Sequence, residues 1–442
     1  MNQFQMRLPV TIRKTLIVAL AFFYLPFTTI FLLAQDQQKD GRYYEREAIK
    51  AYQNKDFKAY LENLKMALAL RPNHPRLLYN IAGAYALNGD IQKALKSLDH
   101  VAGMGLIYAA EKDEDFISIK DTDDFKKILE KFAANKTPIV RSKAVFAIHE
   151  KGLITESVAY DPVTKTFYVS SVRKRKIISV NAKGEAKDFA TEKDGLWAIL
   201  GIKVDVRRRL LWACSSSIPQ MINFKTEDKG KSAVLKFDLK TGKLLKTYLI
   251  NDTTNEHWLG DLVVGPNGDV FATDSAKPTV YVIRNGKDEI EPFLEDKSFV
   301  NLQGLDFTPD GRHMFVADYA KGVFVVDMKT KSVRLLTTKP TMTLLGIDGL
   351  YFYKGNLVAT QNGTNPQRVV RLVLNREMNG VERVETLEVN HPQHDEITLG
   401  LVLNNSFYYI ANSQWWAINE KGELAAEEKL KEPVVLSFGL SF

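Results

Sequence analysis

A strand, a tight turn and a second strand recur along this chain as nearly the same phrase. "NLQGLDFTPDGRHMFVAD" (301–318) returns as "LGDLVVGPNGDVFATD" (259–274) and as "ITESVAYDPVTKTFYVSS" (154–171). In the first, Leu305 and Phe307 alternate with polar neighbours, Pro309-Asp310-Gly311 supplies the turn, and Met314 and Val316 open a new apolar run. Aligned on this pattern, further copies begin at "LGIKVDVRRRLLWACSS", "DGLYFYKGNLVATQ" and "LGLVLNNSFYYIANS", six in all. Most are followed by another strand pair, such as "VFVVDMKTKSVRLL" (323–336). Four-strand units at intervals of 43 to 60 residues predict a six-bladed propeller over residues 140–442. "AVFAIHE" (144–150) is one strand too many at the front, and is expected to complete the last blade and close the ring, which removes exposed sheet edges.

Within the phrase, the residue six places before the proline changes from Glu156 to Gly260 to Gln303, and the full column is Glu156, Leu200, Gly260, Gln303, Asp348 and Leu399. In a propeller the first strand of each blade lines the central channel, so these residues converge at one mouth. Two carboxylates and an amide carbonyl, with no Cys and no aligned His, suit a hard cation such as Ca²⁺ or Mg²⁺. The competing expectation is a polar channel that holds only water. Trp197, His257 and "HPQHDE" (391–396) lie in connections entering first strands, while Ser171, Ser215, Asp274, Asp318 and Asn412 end second strands. All are expected to line the same mouth. His391 and His394, separated by Pro392-Gln393, resemble a zinc pair only loosely and are read as part of an exposed loop. No G-x-S-x-G elbow is present, so a serine hydrolase has no support.

Ahead of the β region, residues 42–133 have helical spacing and repeat at an offset of 34 residues: Tyr60 matches Ala94, Leu64 matches Leu98, Ala67 matches Val101. Asn54-Lys55-Asp56 and Asn88-Gly89-Asp90 break the two helical pairs at equivalent places. This looks like two tetratricopeptide repeats, with "DEDFISIKDTDDFKKILEKF" (113–132) as a cap. The fold class expected is therefore multidomain α + β: a short helical tetratricopeptide-like repeat domain, then an all-β six-bladed propeller. Two repeats make only a short concave surface, which fits a structural or interaction role, with a protein as the possible partner.

Residues 1–34 run basic, apolar, polar and read as an export signal, either cleaved after Ala34 or kept as a membrane anchor. Either way the rest of the chain is expected outside the cytoplasm, periplasmic or extracellular. Its three basic residues, taken from the formal +7, leave +4, which gives no reason to expect a nucleic-acid partner. The runs Arg173–Lys176 and Arg207–Arg209 fall where turns are expected. Cys214 is the only cysteine, so no intramolecular disulfide and no cysteine metal site can form; in "RLLWACSS" it reads as a buried, inert thiol.

"ESVAYDPVTKTFYVSS", "NLQGLDFTPDGRHMFVAD" and "GIDGLYF" resemble the blade motifs of the senescence marker protein/gluconolactonase/luciferin-regenerating enzyme family over residues 150–420. The resemblance implies one divalent cation, Ca²⁺ first with Mg²⁺, Mn²⁺ or Zn²⁺ as alternatives, and hydrolysis of a sugar lactone or related ester. Carried over by motif, the family's blade 1 glutamate falls on Glu156 and its blade 5 aspartate on Asp348, the implied catalytic residue. Its blade 4 asparagine becomes Gln303 and its blade 3 asparagine becomes Gly260, which has no side chain. Asp261 matches the aspartate that commonly follows, and Trp258 stands where the family has a substrate-binding arginine. Trp258, Asp261, Trp197 and His257 are the expected substrate contacts, and Trp258 favours a less polar substrate. The alternative is a non-catalytic propeller that binds a ligand or a protein partner, with the repeats as scaffold.

Overall fold

The computed structural model describes residues 41–442. The predicted export signal lies outside the described residues. Among the described residues no helix is long and apolar enough to cross a membrane.

Five helices come first: α1 (Gly41–Gln53), α2 (Phe57–Leu70), α3 (Pro75–Leu87), α4 (Ile91–Gly103) and α5 (Asp123–Ala134). The 34-residue offset is visible in their starts, since α3 begins 34 residues after α1 and α4 begins 34 after α2. The two intervening turns share one construction. Lys55 and Gly89 take left-handed backbone (φ 59° and 78°). Asp56 and Asp90 follow as N-caps, their carboxylates accepting the N–H of Ala59 and Lys93. Ala67, Ala82, Ala84 and Ala94 are fully buried where the helices meet, because a methyl side chain lets backbones approach. Thr122 caps α5, whose Phe125, Ile128 and Phe132 close the helical core.

Six four-stranded antiparallel sheets follow, each strand paired with the next. Their first strands are Thr155–Asp161, Ala198–Asp205, Leu259–Val264, Leu302–Phe307, Ile347–Tyr353 and Gly400–Leu403. Each touches its neighbours, and the last returns to the first, so the sheets form a ring of six blades around a channel. The sixth blade takes its outer strand from the front of the β region: Lys143–Ala147 pairs antiparallel with Val434–Gly439. The extra strand closes the ring as its position in the sequence implies.

Burial explains the composition of the strands. Inner strands such as Leu210–Ser216 and Thr279–Ile283 are buried at every position, since both faces are covered by neighbouring blades. Outer strands such as Ala186–Ala190 are largely exposed. Each adjacent pair of blades shares an apolar cluster, for example Phe271, Phe293, Phe307 and Phe324 between blades 3 and 4. The basic runs are absorbed by the fold. Arg209 is paired with Asp161 through Nη2 at 2.7 Å, and Arg175 Nε donates to the Leu196 carbonyl at 2.8 Å. Cys214 is fully buried and its thiol is pushed well up by burial.

The helices are fastened to blade 5. Arg368 is 2% exposed and donates to the Met104 carbonyl at 2.8 Å and to Gln361 Oε1 at 2.7 Å. Ile107 N–H donates to Asn365 O at 2.8 Å, and Ile139 bridges Val389.

Candidate functional site at the channel mouth

In five of the six blades the first two strands lose register at the same place. The breaks lie between Thr155 and Val158, Ile199 and Ile202, Leu259 and Leu262, Leu302 and Leu305, and Ile347 and Leu350. Each break is a β-bulge that leaves two residues without partners, and such a bulge re-aims a side chain. The first residue of each is Glu156, Leu200, Gly260, Gln303 and Asp348, which is the column picked out by the sequence phrase. The second is Ser157, Gly201, Asp261, Gly304 and Gly349. In four of the five it is Gly or Ser, because neighbouring first strands come close: a Cβ on Gly304 would lie 2.5 Å from Leu350 N, and one on Gly201 would lie 2.7 Å from Asp261 Cα.

The bulges bring their first residues to one cavity of about 360 Å³. Glu156, Leu200, Gly260, Gln303 and Asp348 line it with Trp258, Tyr319, Asn362, Glu396 and Trp415. Larger clefts, about 720 and 610 Å³, lie where the helices meet blades 4 and 5, but they gather no group of acids. The mouth is the smaller space and the chemically richer one.

Glu156 and Asp348 are each 7% exposed. Burial, then the charge of Asp348, pushes the Glu156 carboxyl well above the usual carboxylate range. Asp348 is pushed up to about 7, first by burial and then by Asp261. Glu396 is raised by burial as well. Each acid has one fixed donor: Trp415 Nε1 to Glu156 Oε2 at 2.7 Å, and Asn362 Nδ2 to Asp348 Oδ2 at 2.8 Å. Tyr319 Oη donates to Asn362 Oδ1 at 3.0 Å, so the Asn362 amide is held on both sides. The Gln303 amide nitrogen donates to Asn301 Oδ1 at 2.6 Å. Its carbonyl oxygen lies 3.6 Å from where a Cβ on Gly260 would sit. The longer arm of Gln303 thus reaches into the space that the missing Gly260 side chain leaves. Trp258 and Trp415 stand 6.3 Å apart, centroid to centroid, as an aromatic wall.

The other expected contacts sit elsewhere. His257 is 2% exposed and does not line the cavity; its Nδ1 pairs with Asp274 at 2.6 Å and its Nε2 faces Asp252 at 3.3 Å. Trp197 is half-buried and packs into the clusters that flank blade 2. Asp261 is 1% exposed and does not line the cavity, with Lys203 Nζ 3.6 Å from Oδ1 and with Oδ2 lacking a hydrogen-bond partner. The residues ending second strands are buried, and four of the five tie down the loops that enter first strands. Ser171 Oγ donates to Leu153 O, Ser215 Oγ accepts from Trp197 N–H, and Asp274 accepts from Trp258 N–H. Asp318 accepts from Val300 and Asn301 N–H, and Asn412 Oδ1 from Val434 N–H. Trp415, Asn362 and Tyr319 are mouth residues that the repeat did not reveal. The doubled tryptophan in "NSQWWA" was the visible signal for Trp415, and the position one place past the second-strand end was the signal for Tyr319 and Asn362.

No family model and no curated protein matches the chain. Among solved structures it is similar to a gluconolactonase from Xanthomonas campestris at 13% identity, covering 64% of this chain and 85% of that one, with a TM-score of 0.45. It is similar to luciferin-regenerating enzyme at 15% identity, with 69% and 96% covered and a TM-score of 0.48. The PQQ-bound aldose sugar dehydrogenase of Streptomyces coelicolor matches at 14% identity, with 68% and 99% covered and a TM-score of 0.46. At these identities and scores the likeness is one of propeller architecture and carries nothing about the chemistry of the mouth.

Proposed function

We propose that the protein is an exported propeller that hydrolyses a lactone or related ester at one divalent cation in the channel mouth, held by Glu156, Gln303 and Asp348. The observation that carries this reading is the delivery of two buried carboxylates, both with raised pKa, and one free amide carbonyl to a single cavity by equivalent bulges. Such acids repel each other unless one takes a proton or a cation sits between them. The donors are all oxygens and fit a hard cation, Ca²⁺ first, with water completing its shell; Mg²⁺, Mn²⁺ and Zn²⁺ are alternatives. The mouth carboxylates are not among the sets of three His, Cys, Asp or Glu donors that lie within 4.8 Å of one another. The fit therefore rests on two carboxylates and an amide, as in an open, partly hydrated site.

A cation bound there would polarise the ester carbonyl and stabilise developing negative charge. Asp348, oriented by Asn362, would hold and deprotonate the attacking water. Trp415 fixes Glu156, and Asn301 turns the Gln303 carbonyl toward the Gly260 side of the cavity. Trp258 and Trp415 offer an apolar face and no cationic donor, which favours less polar lactones over sugar acids. Hydrolysis of a panel of aliphatic, aromatic and sugar lactones with each metal, compared between the native chain and Asp348→Asn, tests the assignment.

The second reading is a binding propeller without turnover, with the helical repeats as scaffold for a protein partner. The bare Gly260 and the open donor set favour it. Turnover that depends on metal and on Asp348 separates the two. Export rests on residues 1–34; fractionation that finds abundant cytoplasmic protein with Met1 intact would remove it.

A further inference from the structure

A second donor set lies away from the mouth. Glu388, His391 and His394 each offer a ligand atom, and these atoms all lie within 4.8 Å of one another. Glu388 is the penultimate residue of the outermost strand of blade 5, Val381–Val389. His391 and His394 follow in the loop that leads to blade 6. The loop was expected to be exposed, yet the His391 side chain is only 9% exposed and His394 Nδ1 is buried without a hydrogen-bond partner.

Glu388 is fully buried, and among the described residues its ion-pair partner is His391, Nε2 to Oε1 at 3.9 Å, not a Lys or Arg. A buried carboxylate without a cationic partner is costly. Its oxygens are oriented by Arg141 N–H at 2.9 Å and by Ser142 Oγ at 2.6 Å. His394 Nε2 lies 2.9 Å from Tyr409 Oη. A proton on that nitrogen, donated to the tyrosine, leaves the buried Nδ1 as a lone pair without a hydrogen-bond partner. Glu388 and His394 are thus backed by hydrogen bonds from the surrounding shell, as metal-binding His and carboxylate groups usually are.

We infer that Glu388 Oε1, His391 Nε2 and His394 Nδ1 form a site for one borderline divalent metal of the Zn²⁺ class, with a water as fourth ligand. Two imidazoles and one carboxylate are a zinc donor set. Tetrahedral Zn²⁺ with bonds of ~2.0–2.1 Å holds its donors about 3.3 Å apart, so binding draws each pair of this set inward by at most about 1.5 Å. Metal on His391 Nε2 places the ring proton on Nδ1, so the Gln393 N–H that donates to Nδ1 at 3.1 Å exchanges that bond for water. Gln393 is exposed and can do so. The role is structural. Ser142 directly precedes the closing strand Lys143–Ala147, and Ile139 bridges Val389. Bound metal therefore ties blade 5, the loop into blade 6 and the segment that enters the ring closure.

The test uses the full chain carrying Glu156→Gln and Asp348→Asn, so that the mouth contributes no bound metal. After stripping with chelator, adding Zn²⁺ and desalting, elemental analysis should find one equivalent of zinc, and the melting temperature should rise. His391→Gln in the same background should lose both. Co²⁺ added to the stripped protein with all three ligands intact should give the intense visible bands of four-coordinate cobalt, which decides the matter even if His391→Gln fails to fold. An undiminished equivalent of zinc in a folded His391→Gln protein, or only the weak bands of six-coordinate cobalt, overturns the inference.

Discussion

Asp348 connects the chemistry of single residues to a measurable property of the whole chain. Its carboxyl rises from an ordinary value of 3.8 to about 7 in the fold, because burial and Asp261 oppose its charge. The unfolded chain therefore gives up this proton near pH 3.8 while the folded chain keeps it until about 7. Between those values the folded state binds more protons, so stability falls as pH rises through that window. In chelator, the melting temperature of the native chain should fall more steeply from pH 4 to 7 than that of Asp348→Asn, and saturating Ca²⁺ should flatten the native slope. Equal slopes in the two proteins would mean that Asp348 is not held against its charge. Trp258→Ala should raise KM for apolar lactones and leave the Ca²⁺-induced rise in melting temperature intact, because the proposed site sets the indole against substrate and not against the cation. The column of Glu156, Gln303 and Asp348 was legible in the sequence because a repeat turns position into geometry. Glu396 lay inside a stretch that was noticed, but Trp415, Asn362 and Tyr319 were not picked out. Tyr319 and Asn362 each directly follow a second strand, one place past the residue paired with the start of the first strand, a column beyond those the sequence pattern singled out, while Trp415 reaches the cavity from the longer connection after Ser406–Ile410. His257 misled for a related reason: a chain position near the mouth does not say which way the ring turns, and two carboxylates hold this one inside.

At the scale of strands, the bulge is the device that makes the site. It frees two residues per blade, aims the first into the mouth and packs the second against the next blade. Gly304→Ala tests that packing. A Cβ there would sit 2.5 Å from Leu350 N and 2.6 Å from Asp348 O, both backbone atoms that cannot turn aside. The substitution should cost about 1–3 kcal/mol by overpacking. It should also weaken Ca²⁺ binding, because the strand it displaces carries Asp348. Calorimetry and Ca²⁺ titration read both effects; a stable Gly304→Ala protein with native affinity would show that the first strands have slack. The strands themselves were legible from alternation and turn residues, and the helices from a 34-residue offset that reappears in their start points. The shared bulge was not, since a register break has no signature in a single strand's composition.

For the molecule as a whole, closure by Lys143–Ala147 and the anchoring of the helices on blade 5 make helices and propeller one compact unit over the described residues 41–442. Arg368 is the chief fastening. Replacing it with Met should strand the Met104 carbonyl and the Gln361 amide, at about 1–3 kcal/mol. Hydrogen exchange should then quicken in α4 and leave blades 1–3 unchanged; uniform quickening would mean that the helices support the ring itself. That six blades and a closing strand could be read from sequence reflects how strongly ring closure constrains topology. The seating of the helices could not be read, because it depends on one buried arginine among nineteen arginines of ordinary appearance. We propose the mouth as a metal-dependent hydrolytic site. The direct measurement is the Ca²⁺-dependent rate of hydrolysis of an apolar lactone by the native chain and by Asp348→Asn. The account predicts turnover that chelator abolishes and that Asp348→Asn lowers by ~10²–10⁴-fold. Equal rates in the two proteins, or none above the Asp348→Asn background with any metal or lactone in the panel, would contradict it.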